Sequence, residues 1–471
     1  LIQGRVNGHG SAVIAEPKVG AFRTVYPAGS RQAAVMLQVF IVAAFAFPSD
    51  TVIRVIGAQG YVASLVSILL FLAWVLTAIF GFHDPLHTRH PVRGALGMLW
   101  LSSLLSYAAM PFFGPTDAER LSAERWMMLL AGMSGVILVA AEHLRAPRDI
   151  MRVIRTLVWG STFTGLTAMV QFFLHWDVKP LLRVVLVGFT TNFAISGFQA
   201  REALTRVSGT STNPIELGVI AAMTLPLAIW LGFFDTARSR LKRWLPVPVI
   251  AMCVPMSVSR SAVIGLCVSL GLFLVMLPAV QRAWLLMFVP VGLVVVFGTT
   301  PGYLRTIGNS FGLGTTDPSI TNRLNNYPRV MAAFQQAPWL GRGGGTDLPP
   351  DATKILDNQY LKGAIEMGAL GVVALCLYFF VPAVAALVAR SQATEPAFRA
   401  LCAALAGACL AAGIDSYTFD AFSFGQFAAI HALIVGLCGT CWLHARRWPR
   451  PPDPPPGPPR SPILLPREAS P

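Results

Sequence analysis

The chain has 471 residues, of which 54% are hydrophobic and only 12% charged, with a mean hydropathy of +0.60. A soluble domain carries about 25% charged residues, so this composition excludes an ordinary water-soluble globule and points to a bilayer as the main solvent. The net charge of +14 does not indicate nucleic acid, because the basic residues are scattered between apolar runs rather than gathered into one stripe.

In chain order, a polar N-terminal tail (1–31) with no cleavable signal peptide precedes a long series of apolar runs. Candidate spans fall near 32–48, 60–82, 94–113, 126–141, 152–174, 214–234, 245–258, 261–279, 283–299, 358–389, 399–416 and 422–443. Runs of ~20 apolar residues suit spanning helices, and helices satisfy their own backbone groups in lipid. The short alternating segments of a β-barrel are absent. The expected fold is therefore an all-α polytopic transmembrane bundle of about twelve spans occupying 32–445. A large loop joins the spans near 283–299 and 358–389.

Two segments resist simple counting. The run 245–258 is short and holds Pro246, Pro248 and Pro255, so a kink or break is expected. The run 181–200 is long enough to span, and charge decides its case. If it lies at the interface or re-enters, the segments 83–93, 142–152, 235–244, 280–282 and 390–398 share one side with both tails. That side then collects more than half of the 36 Lys and Arg, including Arg238, Arg240, Lys242 and Arg243. This is the positive-inside pattern. Both termini are then cytoplasmic, and the two largest polar connections, 175–213 and 300–357, are external. The second contains a helix-like stretch, Asn322 to Gln336, that Ala337-Pro338 should end. The tail 446–471 is Pro-rich and suits extended polyproline structure or disorder. All seven cysteines lie in apolar runs, which suggests neither a disulfide framework nor a zinc site. Cys438-x-x-Cys441 reads as a packed helix face.

Candidate chemistry gathers on the external side of this topology. Arg206 lies in RVSGTSTNPIELG at the entrance of a span. Arg260 lies in SVSRSA between two apolar runs, Arg323 opens the loop helix, and Arg342 lies in GRGGGT. An arginine at membrane depth is a functional hypothesis, although a snorkelling side chain at a helix end is the plainer reading. Together these guanidinium groups suit an anion such as a lipid diphosphate. The glycine run suits either a turn or a phosphate nest. Asp357 and Asn358 sit where the loop enters a span. From spacing alone Asp357 is expected to cap that helix, with proton acceptance as its functional alternative. Lys362 and Glu366, spaced i,i+4, are expected to pair.

The ordered segments R-x-x-G…NP, SRSA, TNRLNNYPRVMAAFQQAPWLGRGGGT and DNQYLKGAIEMGALG resemble those of the O-antigen ligase and Wzy-type polysaccharide polymerase superfamily. The arrangement is similar over 30–445, and the motifs concentrate in 200–265 and 320–375. The resemblance implies a multi-pass protein of the bacterial cytoplasmic membrane. It implies metal-independent, inverting glycosyl transfer without a cofactor, from an undecaprenyl-diphosphate-linked oligosaccharide on the outer face. Arg206 and Arg260 match the arginines expected to hold the diphosphate, and Arg323 the arginine at the start of the loop helix. Asn358, Glu366 and Arg342 are candidate supporting residues. Asp357 stands where the ligases carry histidine, which tilts the expectation from ligase toward polymerase. Polysaccharide export or flippase machinery would be the expected protein partner, and nucleic acid none. Two other readings fit the architecture: a transporter or flippase of an anionic or lipid-linked substrate, and a scaffold acting through the proline tail.

Overall fold

The computed structural model describes residues 29–85, 88–192, 197–201, 204–299, 318–349, 351 and 354–447. Most of the expected N-terminal tail, the stretch 300–317 and the proline tail from 448 lie outside the described residues.

The helices are α1 (Gly29–Ala46), α2 (Val62–Ile79), α3 (Pro91–Ala109), α4 (Asp117–His143), α5 (Pro147–Leu174), a short α6 (Lys179–Arg183) and α7 (Pro214–Phe234). They continue as a short α8 (Arg240–Trp244), α9 (Pro246–Ser257), α10 (Arg260–Met276), α11 (Ala279–Thr299), α12 (Pro318–Gln336), α13 (Gln359–Gln392), α14 (Pro396–Asp415) and α15 (Gly425–Arg447). Two small antiparallel pairs complete the described structure: β1 (Thr51–Val52) with β2 (Thr190–Thr191), and β3 (Phe198–Arg201) with β4 (Leu204–Val207). Among the described residues nine helices, α1 to α5, α7 and α13 to α15, are long and apolar enough to cross a membrane. The helix α10 and the part of α11 up to Gly292 are shorter apolar helices. The all-α polytopic expectation therefore stands.

The run 245–258 does fold short. Its 12-residue helix rises about 18 Å, against a hydrocarbon core of about 30 Å. The apolar run 126–141 understated its helix. Thr116 and Glu119 form a capping box that starts α4 at Asp117, nine residues before the hydropathy rises. The segment 181–200 forms no membrane-length helix among its described residues. It is the end of α6, a turn and two short strands.

The end at which α1 finishes, here the upper end, is stitched by polar side chains. Glu216 at the start of α7 is fully buried. It accepts the backbone N–H groups of Gln426 and Phe427 at the start of α15, each at 2.9 Å, and that of Thr212 at 2.7 Å. Two open donors at the start of α15, and one just before α7, are thereby satisfied. The connection after α5 is latched by Lys179, whose ammonium donates to Asp50 at 3.3 Å and to the Ser211 carbonyl at 2.7 Å. Burial pulls this ammonium below the usual lysine range, and Asp50 and Asp177 oppose the shift.

The lower end is closed differently. Arg155 makes a two-pronged pair with Asp235 at 2.6 and 2.7 Å, and Arg390 donates to the Met276 carbonyl at 3.0 Å. Glu142 accepts from Trp74 at 3.0 Å and lies 2.8 Å from His83. Cys438 faces Cys409 of α14 across a 3.6 Å Sγ–Sγ approach. The CxxC face is thus packed helix, as its apolar setting suggested.

Candidate active site

The upper end brings two of the sequence candidates, Arg206 and Arg260, to one short turn. The helix α9 ends at Val258, whose left-handed backbone (φ 44°, ψ 48°) is unusual for a β-branched residue. Ser259 then caps α10 by accepting the Ala262 N–H, and Arg260 is the first residue of that helix. Arg206 on β4 reaches this turn. Its Nε donates to the Ser257 carbonyl at 2.8 Å, with the side chain buried. Two arginines distant in sequence therefore flank one four-residue reversal.

The same reversal touches the turn that ends α14. Ser261 and Thr418 share a hydroxyl hydrogen bond at 2.6 Å. Thr418 is held in turn by the Asp415 carbonyl. On the other side of this turn the Gln359 N–H donates to the Ser416 carbonyl at 2.8 Å. That bond fixes the start of α13, two residues after Asp357. From above, Tyr327 of α12 meets Tyr417, their hydroxyls 3.5 Å apart. The segment 415–418 thus joins the arginine turn, the loop helix and the entrance of α13. Sequence reasoning missed Tyr417 and Thr418. The short polar break IDSYTFDAFS between the last two apolar runs was their signal, and it is too brief to stand out as a loop.

Each predicted residue can now be placed. Position 323 lies one helical turn before Tyr327 on α12; the Arg323 side chain is outside the described residues. The helix α12 ends at Gln336, as Ala337-Pro338 required. Asp357 is exposed, but it is not the cap of α13. Asn358 is that cap, its buried side chain accepting the N–H groups of Tyr360 and Leu361 at 2.9 and 3.1 Å. Spacing alone could not separate two adjacent residues that both favour this role.

The expected Lys362–Glu366 pair is replaced by a different one. Lys362 donates to Asp420 at 2.7 Å and to Ser423 at 3.3 Å, tying α13 to the segment before α15. Glu366 is buried and accepts the Asp347 N–H at 3.2 Å. Its own carbonyl takes the Gly343 N–H at 2.9 Å and the Ser106 hydroxyl at 2.7 Å. Just beyond, α13 breaks at Gly368 (φ 64°, ψ −163°), and the backbone on either side of the break meets the glycine loop and the residues before it. The Ala369 N–H reaches the Pro338 carbonyl at 2.8 Å, and the Arg342 N–H the Ile365 carbonyl at 3.3 Å.

The glycine run is therefore neither a loose turn nor an open nest. Gly341, Gly343 and Gly345 all have positive φ, and a Cβ on Gly341 would collide with the Glu366 backbone. Two of its N–H groups, those of Arg342 and Gly343, are bound to α13 carbonyls. The Arg342 guanidinium donates to Gln336, and no described contact joins it to Arg206 or Arg260. The candidate site consists of Arg206, Arg260, the 415–418 turn and the entrance of α13, and Glu366 ties α13 to the loop at 343–347.

No curated protein matches the chain. Residues 245–376 match the family model described as O-antigen ligase, a segment that runs from α9 into α13 and holds Arg260, Arg323 and Asp357. Over this segment the chain is similar to the O-antigen ligase family, and its long apolar helices are those of a multi-pass membrane protein.

Proposed function

We propose that the chain is a membrane glycosyltransferase that polymerises or ligates oligosaccharide units carried on undecaprenyl diphosphate. Polymerase is favoured over ligase, and the outer face of the bacterial cytoplasmic membrane is the place of reaction. The family match supports an O-antigen ligase or polymerase type of enzyme. The observation that carries the finer reading is the Arg206–Ser257 bond, which brings Arg206 to the turn from which Arg260 starts α10. Two guanidinium groups at one membrane-level turn suit a diphosphate, whose oxygens accept paired N–H donors.

The chemistry follows from that placement. Fixed cations stabilise the charge that grows on the departing diphosphate, so the leaving group needs no protonation. An acceptor hydroxyl attacks the anomeric carbon from the opposite face and inverts it in one displacement. Asp357, exposed at the mouth of α13, takes the hydroxyl proton. Arg323 is a further candidate for the anion site, on the strength of the family resemblance, and Asn358 and Glu366 hold the framework. No step of this route calls on a metal or a cofactor.

The direct test replaces Arg260 with alanine in a strain lacking the native copy. Surface polymer should be lost or shortened while the protein is still made. Polymer of normal length and yield at normal protein abundance overturns the reading.

A further inference from the structure

Tyr417 is the most exposed residue of the turn where the site's elements meet. It is 58% exposed, and Tyr327 above it is 41% exposed. Large rings are common at membrane–water interfaces, so exposure alone decides nothing. The neighbours decide. The residue before Tyr417 accepts the Gln359 N–H at the entrance of α13, two positions from Asp357. The residue after it is bonded to Ser261, next to Arg260. Its hydroxyl lies 3.5 Å from that of Tyr327, one helical turn from position 323. The turn is also rigid, since the Tyr417 and Thr418 N–H groups donate to the Ile414 and Asp415 carbonyls. An open aromatic ring thus stands on a fixed turn between the arginine side and the carboxylate side.

On the glycosyltransferase reading, the group that must lie between those two sides is the sugar joined directly to the diphosphate. Its anomeric carbon faces the phosphate on one side and the incoming hydroxyl on the other. A pyranose offers an apolar C–H face and a polar rim. A tyrosine offers the matching apolar face with a polar tip. We infer that Tyr417 is the platform for the first sugar of the lipid-linked donor, with Tyr327 closing the same subsite from α12. Its role is recognition of that sugar, distinct from the anion binding of Arg206 and Arg260.

The experiment separates sugar binding from diphosphate binding. Full-length protein in nanodiscs is given the polyprenyl-diphosphate glycan as donor, and the sugarless polyprenyl diphosphate as competitor. Tyr417→Ala should raise the donor KM about tenfold, the scale of one lost stacked ring, and leave the competitor Ki unchanged. Tyr417→Phe should stay near wild type. Arg260→Ala should raise both constants. Tyr417→Leu, which keeps bulk without an aromatic face, carries the same test if the alanine variant is poorly made. Unchanged donor KM in Tyr417→Ala and Tyr417→Leu, or equal shifts in KM and Ki, overturns the inference while the enzyme reading stands. A wild-type chain that neither joins glycans nor binds the sugarless lipid overturns both.

Discussion

Arg206 donates its Nε hydrogen to the Ser257 carbonyl at 2.8 Å, so one edge of its guanidinium is spent on the protein. This bond fixes the plane of the guanidinium and the direction of its remaining N–H groups. A lysine at this position keeps the charge but has no planar fork to fix. Arg206→Ala should therefore lower glycan joining about a hundredfold, the scale of one removed preorganised donor. Arg206→Lys should remain well below wild type. Turnover of purified protein, normalised to folded protein, measures both. A lysine variant with wild-type turnover would show that charge alone suffices.

Gly368 and Gly341 face each other where α13 breaks. A Cβ on Gly368 would collide with the Trp339 and Leu340 backbone, and one on Gly341 with that of Glu366. Both residues also hold positive φ (64° and 67°), where side chains are disfavoured. Gly368→Ala and Gly341→Ala should each abolish the folded, monodisperse protein, as read by size-exclusion chromatography in detergent. Gly271→Ala in α10, where nothing lies within 4 Å of the new methyl, should behave as wild type. Normal folding of both loop variants would show that the break in α13 is not required.

The helices were legible because burial in lipid imposes one pattern, a long apolar run, on nearly every crossing. The end of α12 was legible too, since Pro338 cannot continue a helix. The pairings at the site were not. Helical spacing offered Glu366 as the partner of Lys362, but spacing along one helix says nothing of what neighbouring segments bring: Glu366 is taken up by the Asp347 N–H, and Lys362 reaches Asp420. Asp420, the actual partner, lies 58 residues away. The N-cap fell on Asn358 rather than Asp357 because both residue types favour the position and only the backbone chooses between them. Arg206 and Arg260 stood out as candidates because arginine is rare at membrane depth. Tyr417 did not, because a tyrosine at a span end is ordinary.

Lys362 and Asp420 are mostly shielded, with side-chain exposures of 20% and 11%. Removing either partner breaks a shielded ion pair, at a cost on the order of 2–4 kcal/mol. Lys362→Met and Asp420→Leu should each lower the thermal unfolding temperature. The double variant should recover much of that loss, because the pair is replaced by apolar contact. A double-mutant cycle on unfolding temperature and on turnover measures the coupling. Additive losses would mean that the two side chains act independently.

The chemistry depends on which side of the membrane the upper end faces. Val187, in the connection after α6, is 91% exposed. Ser239 is exposed next to the basic helix α8, and its side chain makes no cap bond there. A cysteine at either place should meet water, whereas the seven native cysteines lie within helices of the bundle. In intact cells a membrane-impermeant maleimide should label Val187→Cys, and Ser239→Cys only after permeabilisation. The reverse result would turn the arginine turn to the cytoplasm, where a donor displayed on the outer face cannot reach it. Labelling of both positions from one side would mean that the connection after α5 crosses after all. Arg206 would then be separated from the turn it reaches in this fold, and the diphosphate site would lose one of its two arginines.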